Sequence, residues 1–168
     1  MNTNAVERLQ LAVDAAGVGT WDFNPISGEL VWSPRCKELF GLPTTAQVTY
    51  ADFLAGVYPP DLPHTEAAVQ QALDPAGSGA YDIEYRTRRH GQDTQLHWAR
   101  ATGRAFFDAD RTKALRFIGT IVDITETKRM QERLQQAYED LEVKVTFRNL
   151  ELEREVLQLR AKLAASAA

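Results

Sequence analysis

The residues able to do chemistry are few. The 168-residue chain has one cysteine and three histidines. Cys36 stands between Arg35 and Lys37. Flanking cations can draw a thiol towards its reactive thiolate, and a thiol on the apolar side of an amphipathic helix packs as a small hydrophobe. The sequence leaves both readings open. A single cysteine forms neither an internal disulfide nor a multi-thiolate zinc site. His97 has Asp93 close in sequence, but no nucleophile can be placed beside the pair, so no catalytic constellation takes shape. No Walker lysine loop occurs. The expectation is a protein that is not an enzyme and holds no metal.

Bulk composition points the same way. Hydrophobic residues make up 44% and charged residues 25% of the chain, with a formal net charge of −4 and an isoelectric point near 5.4. These are globular values, and an acidic chain is a poor phosphate-backbone binder, so no nucleic-acid partner is expected. No apolar run approaches the roughly 20 residues of a membrane span, and the first residues lack a secretory pattern. A soluble, cytoplasmic protein is expected.

The elements that must position these residues divide at about residue 125. All ten glycines, seven prolines and three tryptophans precede that point. The globular part opens with a helix over 1–16, capped by Asn4, with Val6, Leu9, Val13 and Ala16 on one face. Val18–Asn24 and Glu29–Trp32 read as a hairpin around a Pro25–Gly28 turn. Ser33-Pro34 starts a short helix that Gly41 ends. Thr49 caps another, and Asp61 a longer one through Leu73. Tyr81–Arg86, Gln95–Phe107 and Ala114–Ile124 read as strands, with a turn at His90-Gly91-Gln92-Asp93.

Residues 126–163, free of Gly and Pro, read as one long helix, followed by a tail at 164–168. At the strand-to-helix junction, Asp123 and Glu126 have the spacing of a capping box, although Asp rather than Ser or Thr leads it. Along the helix, Met130, Leu134, Ala137, Leu141, Val145, Arg148, Leu152, Val156, Leu159 and Leu163 follow 4- and 3-residue steps. The 4+4+3 pattern is an 11-residue repeat, which favours a nearly straight or slightly right-handed coiled coil. Thirty-eight residues span about 57 Å, so the stripe predicts a parallel homodimer, with a helix folded back on its own domain as the alternative.

Four segments, in order, resemble those of PAS sensor domains. Trp32-Ser33-Pro34 with Leu39-Phe40-Gly41-Leu42 is similar to the family's W-S-…-L-F-G-L, and Val57-Tyr58-Pro59-Pro60-Asp61 to its V-H-P-D-D. Tyr81-Asp82-Ile83-Glu84-Tyr85-Arg86 matches Y-D-x-E-Y-R. Gly119 to Glu126 resembles the closing G-T-x-x-D-I-T-E. The resemblance covers about residues 5–130, and departs from the pattern at Tyr58, usually His, and Pro60, usually Asp.

The resemblance implies an α+β fold: a five-stranded antiparallel sheet with helices on one face, an N-terminal cap helix, a PAS core over 17–125 and a signalling helix. It implies a non-catalytic sensor whose ligand pocket lies between sheet and helices. From the first strand and the following helices, candidate lining residues are Trp21, Phe23, Cys36, Leu39, Phe40, Phe53, Leu54 and Val69. From the last three strands they are Ile83, Tyr85, Trp98, Phe117, Gly119 and Ile121. The same residues could equally be core.

Asp123, Ile124, Thr125 and Glu126 fall on the family's signal-transfer joint, although a plain structural cap would use them too. Flavin photosensors of this superfamily carry a Cys within the segment that is here Tyr58–Leu62, and a Gln where this chain has Ile121. Haem-binding members use a His one helical position from His64, a rotation of about 100°. Neither haem nor photoactive flavin is expected, and any ligand is open. Partners implied are a second copy, through the long helix with the first helix as a further candidate surface, and an output domain such as a histidine kinase or cyclic-dinucleotide enzyme. No histidine follows His97 to act as a phosphoacceptor. The runner-up is a purely structural dimerisation module.

Overall fold

The computed structural model describes residues 3–88 and 95–166. The expected turn at His90–Asp93 lies outside the described residues. Two compact units divide between Thr125 and Glu126.

In the first unit, α1 (Thr3–Ala15) precedes the hairpin β1 (Gly19–Phe23) and β2 (Leu30–Trp32). Three helices follow: α2 (Pro34–Leu39), α3 (Tyr50–Gly56) and α4 (Leu62–Leu73). Then come β3 (Ala80–Arg88), β4 (Leu96–Phe107) and β5 (Ala114–Asp123). The strands form one antiparallel sheet in the order β2-β1-β5-β4-β3. Helix α5 (Thr125–Ser166) belongs to the second unit from Glu126 onward and continues three residues beyond the expected end at 163. Asn4 lies inside α1 rather than capping it.

Local chemistry explains the short helices. The Ser33 side chain accepts the Cys36 N–H at 3.3 Å with Pro34 at the first helical position, and Gly41 ends α2 at φ 70°. Thr49 and Asp52 form a reciprocal capping box on α3.

Side-chain alternation gives the sheet two faces. Tyr81, Ile83, Tyr85 and Thr87 of β3 are buried, with charged residues between them. On β4 the inward positions are Ala99, Ala101, Gly103 and Ala105. The outward face carries ion pairs between neighbouring strands, Arg100 with Asp82 at 2.7 Å and Arg116 with Asp22. Cys36, Leu39, Phe40, Val69 and Ala72 close the core from the helical side.

One row crosses the whole sheet: Trp32, Trp21, Gly119, Gly103 and Tyr81 are successive register partners. The Trp21 indole lies over the two glycines and donates from Nε1 to the Thr120 carbonyl at 3.3 Å. A Cβ at Gly103 would stand 2.6 Å from that indole, and one at Gly119 would run into both the indole and the Thr102 carbonyl oxygen. The backbone oxygen cannot turn aside as a side chain can. Gly119→Ala is therefore expected to cost about 2–3 kcal/mol, the upper range for overpacking. A urea midpoint unchanged from the parent protein would show that the indole does not rest on this row.

Candidate functional site

A hollow lies between the inner face of the sheet and the helices. Its volume is about 40 Å3, and about 440 Å3 when the unfilled space at its open mouth is included. The cause is visible on β4 and β5. Ala101 and the glycine pair supply almost no side-chain volume, while Trp21, Tyr81 and Phe117 pack edge-to-face around the space, with centroids 4.6–5.9 Å apart. At the mouth, Phe23 stacks on Tyr50 at 5.4 Å.

Nine of the residues expected there line it: Trp21 and Phe23 of β1, Cys36 and Phe40 from the α2 region, Phe53, Val69, Tyr85, Phe117 and Ile121. Five expected residues do not. Leu39 and Ile83 are buried in the core without lining the hollow, and Leu54 is half-buried. Gly119 lies beneath the Trp21 ring. Trp98 belongs to the outward face, because Ala99 and Ala101 take the inward positions of β4. Leu30, Trp32, Tyr50, Tyr81 and Ala101 line the hollow and were not anticipated. Their signal was the alternation of small residues at 99, 101, 103 and 105, which vacates space that aromatic neighbours then border.

Electrostatically the hollow resists charge. Burial pushes the Cys36 thiol far above its usual range, with Lys37 pulling weakly the other way. This is the inert, packed form of a thiol rather than a thiolate. Burial likewise raises the Tyr85 and Tyr81 hydroxyls. His64 is exposed on α4 and does not line the hollow.

The second feature is the junction of β5 with α5. The Ile124 N–H donates to the Trp98 carbonyl at 2.8 Å. The Trp98 N–H donates to the Thr125 hydroxyl at 2.9 Å, and the buried Thr125 gives its own N–H to Asp123 at 2.9 Å. Asp123 thus accepts the N–H of the first helical residue, and Glu126 pairs with Arg129 at 3.8 Å. His97 stands 3.9 Å from Asp123. Among the described residues no group of three or more His, Cys, Asp or Glu could hold a metal ion, and no helix is long and apolar enough to cross a membrane.

A family model described as the PAS fold matches residues 29–121, more than half of the chain. The chain belongs to the PAS-fold family. A sensory box histidine kinase/response regulator from Burkholderia thailandensis E264 has 30% identity to it and a TM-score of 0.65, covering 80% of this chain and 97% of that one. The sensor protein FixL of Bradyrhizobium diazoefficiens is 27% identical over 128 residues, 76% of this chain and 24% of FixL. The probable diguanylate cyclase DgcE of Escherichia coli is 26% identical over 144 residues, 85% of this chain and 12% of DgcE. The chain thus spans a quarter or less of these curated relatives.

Within this PAS domain the helices and the junction share one set of side chains. Arg86 of β3 lies between two rings, 4.5 Å from the Tyr58 centroid and 5.3 Å from that of Trp98. Its guanidinium and its backbone N–H both donate to Asp61. Asp61 was expected to cap α4. It makes no cap hydrogen bond, because its backbone (φ −92°, ψ −11°) continues the preceding turn and its carboxylate is committed to Arg86. Tyr58, where the family pattern has His, is one of the two rings stacked on the Arg86 guanidinium.

Along α5, every large apolar residue of the expected stripe is exposed in the single chain, from Met130 to Leu163. Arg148 pairs with Glu151 at 3.2 Å. Val143, Phe147, Leu150 and Leu157 are exposed as well. At 100° per residue they centre on the opposite side of the helix.

The hydrogen bonds from Arg86, helped by its charge, hold the Asp61 carboxyl below the usual carboxylate range against burial, which acts upward. A lowered folded-state value stabilises the fold above the unfolded carboxyl's pKa of about 3.9, and that stability is lost as the pH falls through the lower folded value. Asp61→Asn is expected to cost about 1–2 kcal/mol at neutral pH, since both partners are partly solvated. The gap between variant and parent should hold steady from pH 7 to 5 and close below about pH 4. Urea titrations across that range test it; a gap that persists at low pH would exclude the ion pair as its source.

Proposed function

We propose that the chain is a sensory module whose hollow takes a small ligand or responds to a partner, and whose junction passes the change to α5. What chiefly supports this reading is the rung at Trp98. The same β4 strand walls the hollow with Ala101 and, three residues earlier, gives both its N–H and its carbonyl to Thr125 and Ile124. A shift of β4 therefore strains the first turn of α5. Asp123, Ile124, Thr125 and Glu126 act here as a joint, and the Asp61–Arg86–Trp98 set ties the helical cover to it.

On this reading α5 pairs with a second copy as a parallel coiled coil through the Met130–Leu163 stripe. Isolated amphipathic helices of this kind gain their stability from a partner. The output is a separate catalytic domain, for which the histidine kinase and diguanylate cyclase relatives offer the models. The chain itself catalyses nothing and works in the cytoplasm.

A purely structural dimerisation module is the second reading, and the volume of about 40 Å3 favours it, because ligand pockets usually enclose some 300–1,000 Å3. Bound small molecule in the purified protein, seen by native mass spectrometry, favours the sensor.

Two measurements test the coil. Removal of residues 130–168 should weaken self-association at least tenfold by light scattering; a truncated core that dimerises as tightly as the whole chain removes α5 as the main interface. Arg148 is the charged position in the stripe and would face its own copy across a parallel seam. A charge there costs stability and fixes register, so Arg148→Leu should raise the melting temperature of the helical region by several degrees. Unchanged or lower melting would place Arg148 away from the seam.

A further inference from the structure

The Tyr85 hydroxyl is fully buried, on a side chain that lines the hollow. Among the described residues it has no hydrogen-bond partner. Its ring packs edge-on against Phe53 at 6.1 Å, which fixes the side chain without satisfying the oxygen. A buried hydroxyl left unpaired costs about 1–3 kcal/mol, and native interiors pair nearly all such groups, with water or ligand where protein supplies none. The rest of the lining is aromatic or aliphatic; its other polar groups are the Cys36 thiol, the Tyr81 and Tyr50 hydroxyls and the indole N–H groups of Trp32 and Trp21, the last bonded to the Thr120 carbonyl. No cationic side chain lines the space.

We propose that Tyr85 is the donor of a ligand site for a compact, uncharged molecule with an apolar body and one carbonyl-type acceptor oxygen. The assignment rests on reading the hollow as a sensor's pocket and names what that pocket selects. Each part of the ligand follows from a part of the site. The unpaired hydroxyl carries a proton to donate, which an acceptor oxygen on the ligand satisfies. The volume of about 40 Å3 restricts the ligand to a compact molecule, and the half-buried Phe23, Leu30 and Tyr50 of the lining supply apolar surface for its body. The absence of a lining cation excludes a carboxylate, since an unpaired buried charge is far costlier than an unpaired dipole. The raised values of Tyr85, Tyr81 and Cys36 agree, because they show a space hostile to negative charge.

The test uses the full chain and its Tyr85→Phe variant, titrated with acetophenone, with α-methylstyrene (the same skeleton with a methylene in place of the oxygen) and with benzoate. Binding is followed through the amide resonances of Ala101 and Phe117. Acetophenone is expected to bind about tenfold more tightly than α-methylstyrene, and benzoate not to bind. In Tyr85→Phe the tenfold preference disappears while the hydrocarbon binds as before, and the unliganded variant melts no lower than the parent. The proposal is overturned if the variant keeps the ketone preference, if neither neutral probe shifts these amides, or if the variant melts several degrees lower, which would mean the hydroxyl is already satisfied. Binding with these ratios but without any change in self-association keeps the ligand class and removes the sensor reading. Failure of the ratios leaves the measurements on α5 to decide that reading separately.

Discussion

The packing of one indole on two facing glycines sets the terms for the sheet. Trp21 is too large for the inner face of a five-stranded sheet whose other positions are filled by Phe117, Ile121, Tyr81 and Tyr85. It fits because Gly119 and Gly103, its neighbours across β5 and β4, give up their side chains. Glycine weakens a strand by its conformational freedom, and the ring offsets that loss by covering the exposed backbone. The aromatic walls of the hollow follow from the same arrangement: the indole is held low, so Tyr81 and Phe117 meet its edge, and space remains above Ala101.

The two faces of the sheet then have separate tasks. The inner face is apolar and nearly filled. The outer face is a lattice of ion pairs and a cation between two rings, partly solvated, each contact modest in energy. Trp98 belongs to the outer face by its side chain and to the junction by its backbone. That double membership connects α4, through Asp61 and Arg86, with the first turn of α5.

Much of the fold was legible in the sequence. The alternation in Tyr81–Arg86, the Ser33-Pro34 start, the Thr49 cap and the loss of Gly and Pro after residue 125 each specify an element through local physics, and local physics is what a sequence displays directly. The site was less legible. Trp98 reads as core because large aromatics usually are; its outward direction is set by the phase of β4, which Ala99 and Ala101 fix only once the strand is paired. Asp61 reads as a cap because of its place before a helix, and a partner 25 residues away overrides that. Tyr50 and Tyr81 were missed because a hollow is defined by the small residues opposite, and alanines attract no notice in a search for large ones. The second apolar set on α5, centred on Val143 and Phe147, was masked by a longer and more regular neighbour.

The strand and the helix joined at Thr125 count residues differently. A strand reverses face with every residue, whereas a helix turns about 100°. Sliding β5 by one residue would turn Phe117 and Ile121 out of the core, so its register is locked by the apolar area they bury. Rotation of α5 by threading strand into helix is therefore closed to this joint. Any change passed on under the proposed function therefore has to leave the pairing of β5 in the sheet as it is.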